Sequence, residues 1–159
     1  MSNILLEGQR APSFELMNSN GSLINLDNLH GNKVVLYFYP KDDTPGCTIE
    51  ACEFRDMKNV YDKLNIKVFG VSADDLESHQ KFKNKFDLNF ELIIDKDYEL
   101  CKKYGVLYDK SGNGISKLSI KRMTFLLDEE GVLLRIWPDV NPNGHAQEII
   151  DFLESFDKR

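Results

Sequence analysis

Two cysteines five residues apart, Cys47 and Cys52, lie in the stretch Pro40-Lys41-Asp42-Asp43-Thr44-Pro45-Gly46-Cys47-Thr48-Ile49-Glu50-Ala51-Cys52, and thiols so placed are candidates for redox chemistry. The nucleophile in such chemistry is the thiolate. An ordinary cysteine, titrating near about 8.5, supplies only a few per cent of it at neutral pH. Thr44 followed by Pro45 predicts a helix N-cap and first helical position, since the capping hydroxyl accepts an orphan N–H and proline has none to satisfy. Cys47 then falls in the first turn. There the positive end of the helix dipole favours an anion by roughly 0.3–1 kcal/mol, and by up to about 2 kcal/mol where partly buried. Asp42 and Asp43 act the other way, so a reactive thiolate at Cys47 requires a cation from elsewhere in the chain.

The helix must also present the two sulfurs. Phe54, Met57, Tyr61 and Leu64 form a stripe at helical spacing, and stepping back from Phe54 brings Glu50 and Cys47 onto the same core-facing side. Cys52 lies about 140° further round, among Thr48, Asp56, Asn59 and Lys63. Cysteine is among the residues most often buried, so one on a polar stripe calls for a reason. In an intact helix, Cα atoms five residues apart are separated by about 8.7 Å. A disulfide needs roughly 4.4–6.8 Å. Pairing of Cys47 with Cys52 therefore requires the first turns to unwind, which disfavours a permanent bridge and leaves a transient one open.

Composition narrows the function classes. The 159 residues predict one domain spanning 1–159, long enough for a full core. With 26 acidic against 20 basic residues, a net charge of -6 and no basic run, nucleic-acid binding is disfavoured. No stretch has the length of a membrane span, and the first residues lack a charged segment followed by a long apolar one, so a cytoplasmic location is expected. Three cysteines, an odd count, argue for reduced thiols rather than a disulfide framework. His30, His79 and His145 lack the cysteine, histidine or carboxylate spacing of a metal site, so no metal and no cofactor is expected.

In chain order, Ala11 to Leu16 and Gly21 to Leu26 flank an Asn-Gly turn and predict a hairpin. Val34 to Tyr39 reads as a strand buried on both faces, followed by the cysteine helix and a second buried strand over Ile66 to Ser72. A helix around Leu76 to Phe86 with a cap among Ser72 to Asp75, a strand near Phe90 to Asp95 and a short helix from Tyr98 to Tyr104 stopped by Gly105 come next. Lys110 to Gly114 reads as loop. Met123 to Asp128 and Val132 to Trp137 predict a second hairpin, and a final helix runs from about Asn143 to Phe156. This order is that of an α/β thioredoxin-like fold with an N-terminal β-hairpin extension. The cysteine helix then starts at the C-terminal end of a central strand, where α/β sheets place their sites.

The spacing Pro40-x3-Thr44-x2-Cys47 resembles the active-site signature of the peroxiredoxins, and Cys47-Thr48-x-Glu50-Ala51-Cys52 resembles their bacterioferritin-comigratory-protein, or Q-type, branch. The likeness runs from Gly8 to Phe14, through Arg122 to Asp128, to Gly144-His145-Ala146. It implies a thioredoxin-dependent peroxidase that reduces hydrogen peroxide and organic hydroperoxides. In that reading Cys47 is peroxidatic and becomes a sulfenic acid, and Cys52 is resolving and closes an intramolecular disulfide that thioredoxin or a similar dithiol reduces. Pro40 and Thr44 shape the pocket, the threonine hydroxyl is directed at thiolate and peroxide, and Arg122 is the missing cation. The branch is expected to be monomeric.

Bland readings compete with these. Cys47 is alternatively a core thiol, and Cys101 reads as structural. Arg10, Arg55 and Arg135 are rivals to Arg122 as the cation. Glu50 is either a carboxylate favoured by the helix dipole or a partner that orients an arginine. A redox switch using the same thiol pair is the alternative to an enzyme, whereas disulfide exchange of the thioredoxin kind is disfavoured by the absence of Cys-x-x-Cys.

Overall fold

The computed structural model describes residues 4–110 and 117–157. The hairpin forms as β1 (Glu15–Met17) and β2 (Leu23–Asn25), antiparallel, with Gly21 at φ +80 in the turn, a conformation glycine adopts freely. A 3-10 turn, Leu26–Leu29, leads into β3 (Lys33–Phe38), whose six residues include five that are fully buried. After it come α1 (Pro45–Asp56), α2 (Lys58–Lys63), β4 (Ile66–Ser72), α3 (Leu76–Phe86), β5 (Glu91–Ile94) and α4 (Glu99–Tyr104). The chain continues with β6 (Leu107–Asp109), β7 (Leu118–Ile120), β8 (Met123–Leu127), β9 (Leu133–Trp137) and α5 (His145–Asp157).

Five strands make the central sheet, in the order β5-β4-β3-β8-β9. The β3–β4 and β4–β5 pairs are parallel, and β3–β8 and β8–β9 antiparallel. Alternation along β3 divides the core. Val35, Tyr37 and Tyr39 face a layer containing Cys47, Ala51, Phe54, Tyr61, Phe82 and Ile149, whereas Val34, Leu36 and Phe38 face Phe14, Leu26, Leu100 and Tyr104. The cysteine helix and α5 thus share one face of the sheet, and α4 and the hairpin region cover the other.

Several local signals act as expected. The Asp75 carboxylate caps α3 by accepting from the Ser78 N–H at 2.9 Å. Gly105 ends α4 in the left-handed conformation, at φ 68.

Two features depart from the sequence reading. The stripe from Phe54 to Leu64 is not one helix, because α1 ends at Asp56 and α2 restarts at Lys58, and Leu64 is 40% exposed. The Arg55 carbonyl, which a continuous helix would offer to Asn59, accepts instead from Asn89 Nδ2 at 3.1 Å, and an inserted side chain of this kind interrupts the ladder. The antiparallel β6–β7 pair is a further feature that the sequence does not signal, since three-residue strands carry almost no alternation. Of the expected loop from Lys110 to Gly114, residues 111–114 lie outside the described residues.

Candidate active site

The helix α1 begins where β3 ends, with Thr44 in extended conformation at the cap and Pro45 at its first position. Cys47 is therefore the third helical residue, 1% exposed and on the core side with Glu50, Ala51 and Phe54. The first bond back along the helix runs from the Thr48 N–H to the Thr44 carbonyl at 2.9 Å. The N–H groups of Gly46 and Cys47 have no helical partner, which makes this end an anion-binding one.

The expected capping bond from Thr44 does not form. Its hydroxyl donates to the Lys41 carbonyl at 2.9 Å, so in this arrangement the proton is held by Lys41 and not aimed at the sulfur. The carbonyl, which only accepts, takes the place of a helix N–H because the chain folds back between Lys41 and Thr44, with Asp43 at φ 56. Pro40 lies at the exposed bend two residues after the end of β3.

Arg122 closes the site from across the sheet. It immediately precedes β8, the antiparallel neighbour of β3, and its carbonyl accepts from the Val140 N–H at 3.1 Å. One guanidinium nitrogen, Nη2, is 3.4 Å from Cys47 Sγ, and the other, Nη1, donates to Glu50 Oε1 at 2.9 Å. A single planar fork thus spans a sulfur and a carboxylate one helical turn apart. Gly46 permits this approach, since a Cβ there would meet Arg122 Nη2 at 3.0 Å and Pro142 Cγ at 3.7 Å.

The competing arginines are engaged elsewhere. Arg10 donates to the Glu130 carbonyl, Arg55 pairs with Asp56 and donates to the Phe86 carbonyl, and Arg135 lies over the Trp137 and Phe152 rings. Glu50 is 1% exposed, and burial pushes its carboxyl up to about 7 although Arg122 opposes the shift. Its Oε2 has no hydrogen-bond partner among the described residues. Cys47 and Glu50 in turn hold the Arg122 guanidinium more firmly protonated.

The two carboxylates that oppose an anion at Cys47 are each matched. Asp43 pairs with Lys85 at 2.7 Å. The buried Asp42 carboxylate accepts from Tyr39 Oη at 2.5 Å and Ser78 Oγ at 2.8 Å, and lies 2.7 Å from His79 Nδ1. His79 Nε2 faces the Ile93 carbonyl at 2.9 Å, so both ring nitrogens face oxygens. Asp74 joins this group by accepting from the Asp42 N–H at 2.8 Å and from Ser72 Oγ at 2.6 Å. Sequence spacing gave no hint of the cluster because Asp42 is 32 residues from Asp74 and 37 from His79. Asp42, Asp74 and His79 have ligand atoms within 4.8 Å of one another and form the donor set that can hold a metal ion; here they bond to each other and to the loop. The cluster ties the segment before Thr44 to α3.

Cys52 is half-buried, and all three cysteines are free thiols. Cys101 is fully buried, and burial together with Asp95 pushes its thiol well above the ordinary range, which disfavours the thiolate.

Residues 7–136 match the model of the AhpC/TSA family. This chain belongs to that family. It falls in the Bcp, or Q-type, peroxiredoxin branch: a putative peroxiredoxin Bcp of Coxiella burnetii is 50% identical over 143 residues, covering 90% of this chain and 95% of the relative. Peroxiredoxin Bcp of Bacillus subtilis is 40% identical, covering 96% and 97%. Among solved structures, a mutant of Xylella fastidiosa PrxQ superposes with a TM-score of 0.90 at 32% identity, covering 99% of each chain. The bacterioferritin comigratory protein of Xanthomonas campestris, described for its alkyl peroxide reduction activity, gives 0.85 at 37% identity, covering 90% and 91%. This peroxiredoxin accordingly has the thioredoxin-like fold and is a thiol-dependent peroxidase. Among its described residues no helix is long and apolar enough to cross a membrane.

Proposed function

We propose that Cys47 is the peroxidatic thiol of this enzyme, with Arg122 and Thr44 completing its pocket beside Pro40, Glu50 orienting Arg122, and Cys52 resolving. The observation that carries this reading is the contact between the Arg122 guanidinium and the Cys47 sulfur at the start of a helix. A cation and two free N–H groups favour a sulfur anion there and also face the oxygens of an approaching peroxide.

The thiolate attacks one peroxide oxygen and the O–O bond breaks. The departing alkoxide or hydroxide takes a proton, leaving Cys47 as a sulfenic acid. The Cys52 thiolate then attacks that sulfur, the S–O bond breaks, and hydroxide leaves with a proton as water. The step also limits damage, because a lingering sulfenic acid oxidises on to sulfinate. A dithiol protein of the thioredoxin kind returns both thiols by exchange.

The substrates in this reading are hydrogen peroxide and organic hydroperoxides, the latter supported by the alkyl peroxide activity described for the Xanthomonas relative. Because both thiols belong to one chain, no second copy is needed, and a monomer acting in the cytoplasm, where dithiol reductants are kept reduced, is the form we infer. Stopped-flow mixing of the reduced protein with hydrogen peroxide and with an alkyl hydroperoxide tests the reading. Rapid second-order oxidation that vanishes in Cys47→Ser is expected, and undiminished oxidation in that variant would overturn it.

A further inference from the structure

Glu53, next to Cys52, makes a contact that the chemistry at Cys47 does not use. Both oxygens of its carboxylate accept from the Gly144 N–H, at 2.8 and 3.1 Å. Gly144, at φ +85, receives the Glu148 N–H on its carbonyl at 3.0 Å and so stands at the cap of α5. The side chain thus ties the middle of α1 to the start of the last helix, 91 residues away.

The tie lies where the helix must give way. Bringing Cys47 to Cys52 unwinds the turns that separate them, and the N–H groups of residues 52–55 then lose the carbonyls of residues 48–51. Cys52 has to rotate toward the Cys47 sulfur, and Glu53 turns with it and leaves Gly144. The next residue resists. Phe54 is 2% exposed and stacks on Tyr37 at 4.8 Å, and Arg55 Nη1 donates to the Phe86 carbonyl at 2.6 Å. Opening therefore runs up to Glu53 and stops at Phe54.

We propose that Glu53 is a positioning residue that latches the Cys52 end of α1 to α5 and thereby limits the opening that allows the disulfide to form. This rests on the reading of Cys47 and Cys52 as the peroxidatic and resolving pair. The latch slows resolution and lengthens the life of the sulfenic acid, while the peroxide step, centred on Arg122 and Cys47, does not depend on it.

The test mixes the reduced full chain with one equivalent of hydrogen peroxide. Trp137 fluorescence is followed, since its ring lies 5.5 Å from that of His145 at the start of α5, and acid-quenched samples are alkylated and weighed to count free thiols. Glu53→Ala is expected to leave sulfenic acid formation within about twofold of wild type and to speed disulfide formation about tenfold, the scale of one charge-assisted hydrogen bond. It also yields less sulfinate in excess peroxide. Glu53→Gln, which keeps an acceptor but loses the charge and with it about half of the bond's strength, is expected to speed disulfide formation only about threefold. Glu53→Asp, a methylene shorter, is expected to follow alanine and replaces it if alanine impairs folding. Disulfide formation that is unchanged or slower in the alanine and aspartate variants overturns the latch. So does equal acceleration by Glu53→Gln, which would assign the effect to the charge beside Cys52. A wild type that consumes peroxide without forming the Cys47–Cys52 bond overturns the functional reading and the latch together.

Discussion

The guanidinium of Arg122 sits 3.4 Å from the sulfur of Cys47, although 75 residues separate them in the chain. The contact is possible because β8, which Arg122 precedes, lies antiparallel against β3, which α1 follows. Arg122→Lys keeps the charge but replaces the planar fork with a point charge that cannot span both Cys47 and Glu50. Its rate with hydrogen peroxide is expected to fall about tenfold, and that of Arg122→Ala by about 10² to 10³, the range seen on removing one donor to a developing anion. Single-turnover stopped flow measures both, and an alanine variant at the wild-type rate contradicts the assignment.

Gly46 governs the same contact through space. A Cβ at this position comes within 3.0 Å of Arg122 Nη2, so Gly46→Ala displaces the guanidinium by a few tenths of an ångström. The expected loss is about tenfold in the peroxide step with little change in disulfide formation, since misplacement by about 1 Å costs up to about 10². Comparing the two phases of one kinetic trace decides it.

The two thiols are expected to separate cleanly. Cys52→Ser consumes one equivalent of peroxide rapidly and then stalls with thioredoxin as reductant; with peroxide in excess a second equivalent slowly oxidises the sulfenic acid, and mass spectrometry finds sulfinate accumulating on Cys47. Sustained thioredoxin-coupled turnover by this variant would remove Cys52 from the resolving step.

Glu50 makes stability depend on pH. Burial pushes its carboxyl from the ordinary 4.5 up to about 7 in the folded protein. The folded state binds the proton more tightly, so the stabilisation is complete below about 4.5 and is lost as pH rises through about 7. At about 1.4 kcal/mol per unit, the difference across this window is about 3 kcal/mol. Urea titrations of wild type and Glu50→Gln between pH 4.5 and 7.5 measure it. Wild type minus Gln should decline over that window, and a flat difference rules out titration of this carboxyl.

The chain by itself determined the elements whose signals are local. Thr44-Pro45 starts the helix and puts Cys47 in its first turn, Asp75 caps α3, and Gly105 stops α4, because caps and left-handed turns are decided within a few residues. The apolar run of β3 likewise placed a strand buried on both faces. Tertiary structure decided the contacts between distant groups. Arg122 with Cys47, Asp42 with His79 and Glu53 with Gly144 join segments 75, 37 and 91 residues apart, brought together by the sheet order and by α1 and α5 lying on one face of it. It also decided that the Thr44 hydroxyl turns to Lys41 and that α1 breaks before Lys58 where Asn89 takes a carbonyl. A hydrogen-bonding group takes whichever partner the packed chain brings within about 3 Å, and spacing along the sequence does not record that distance.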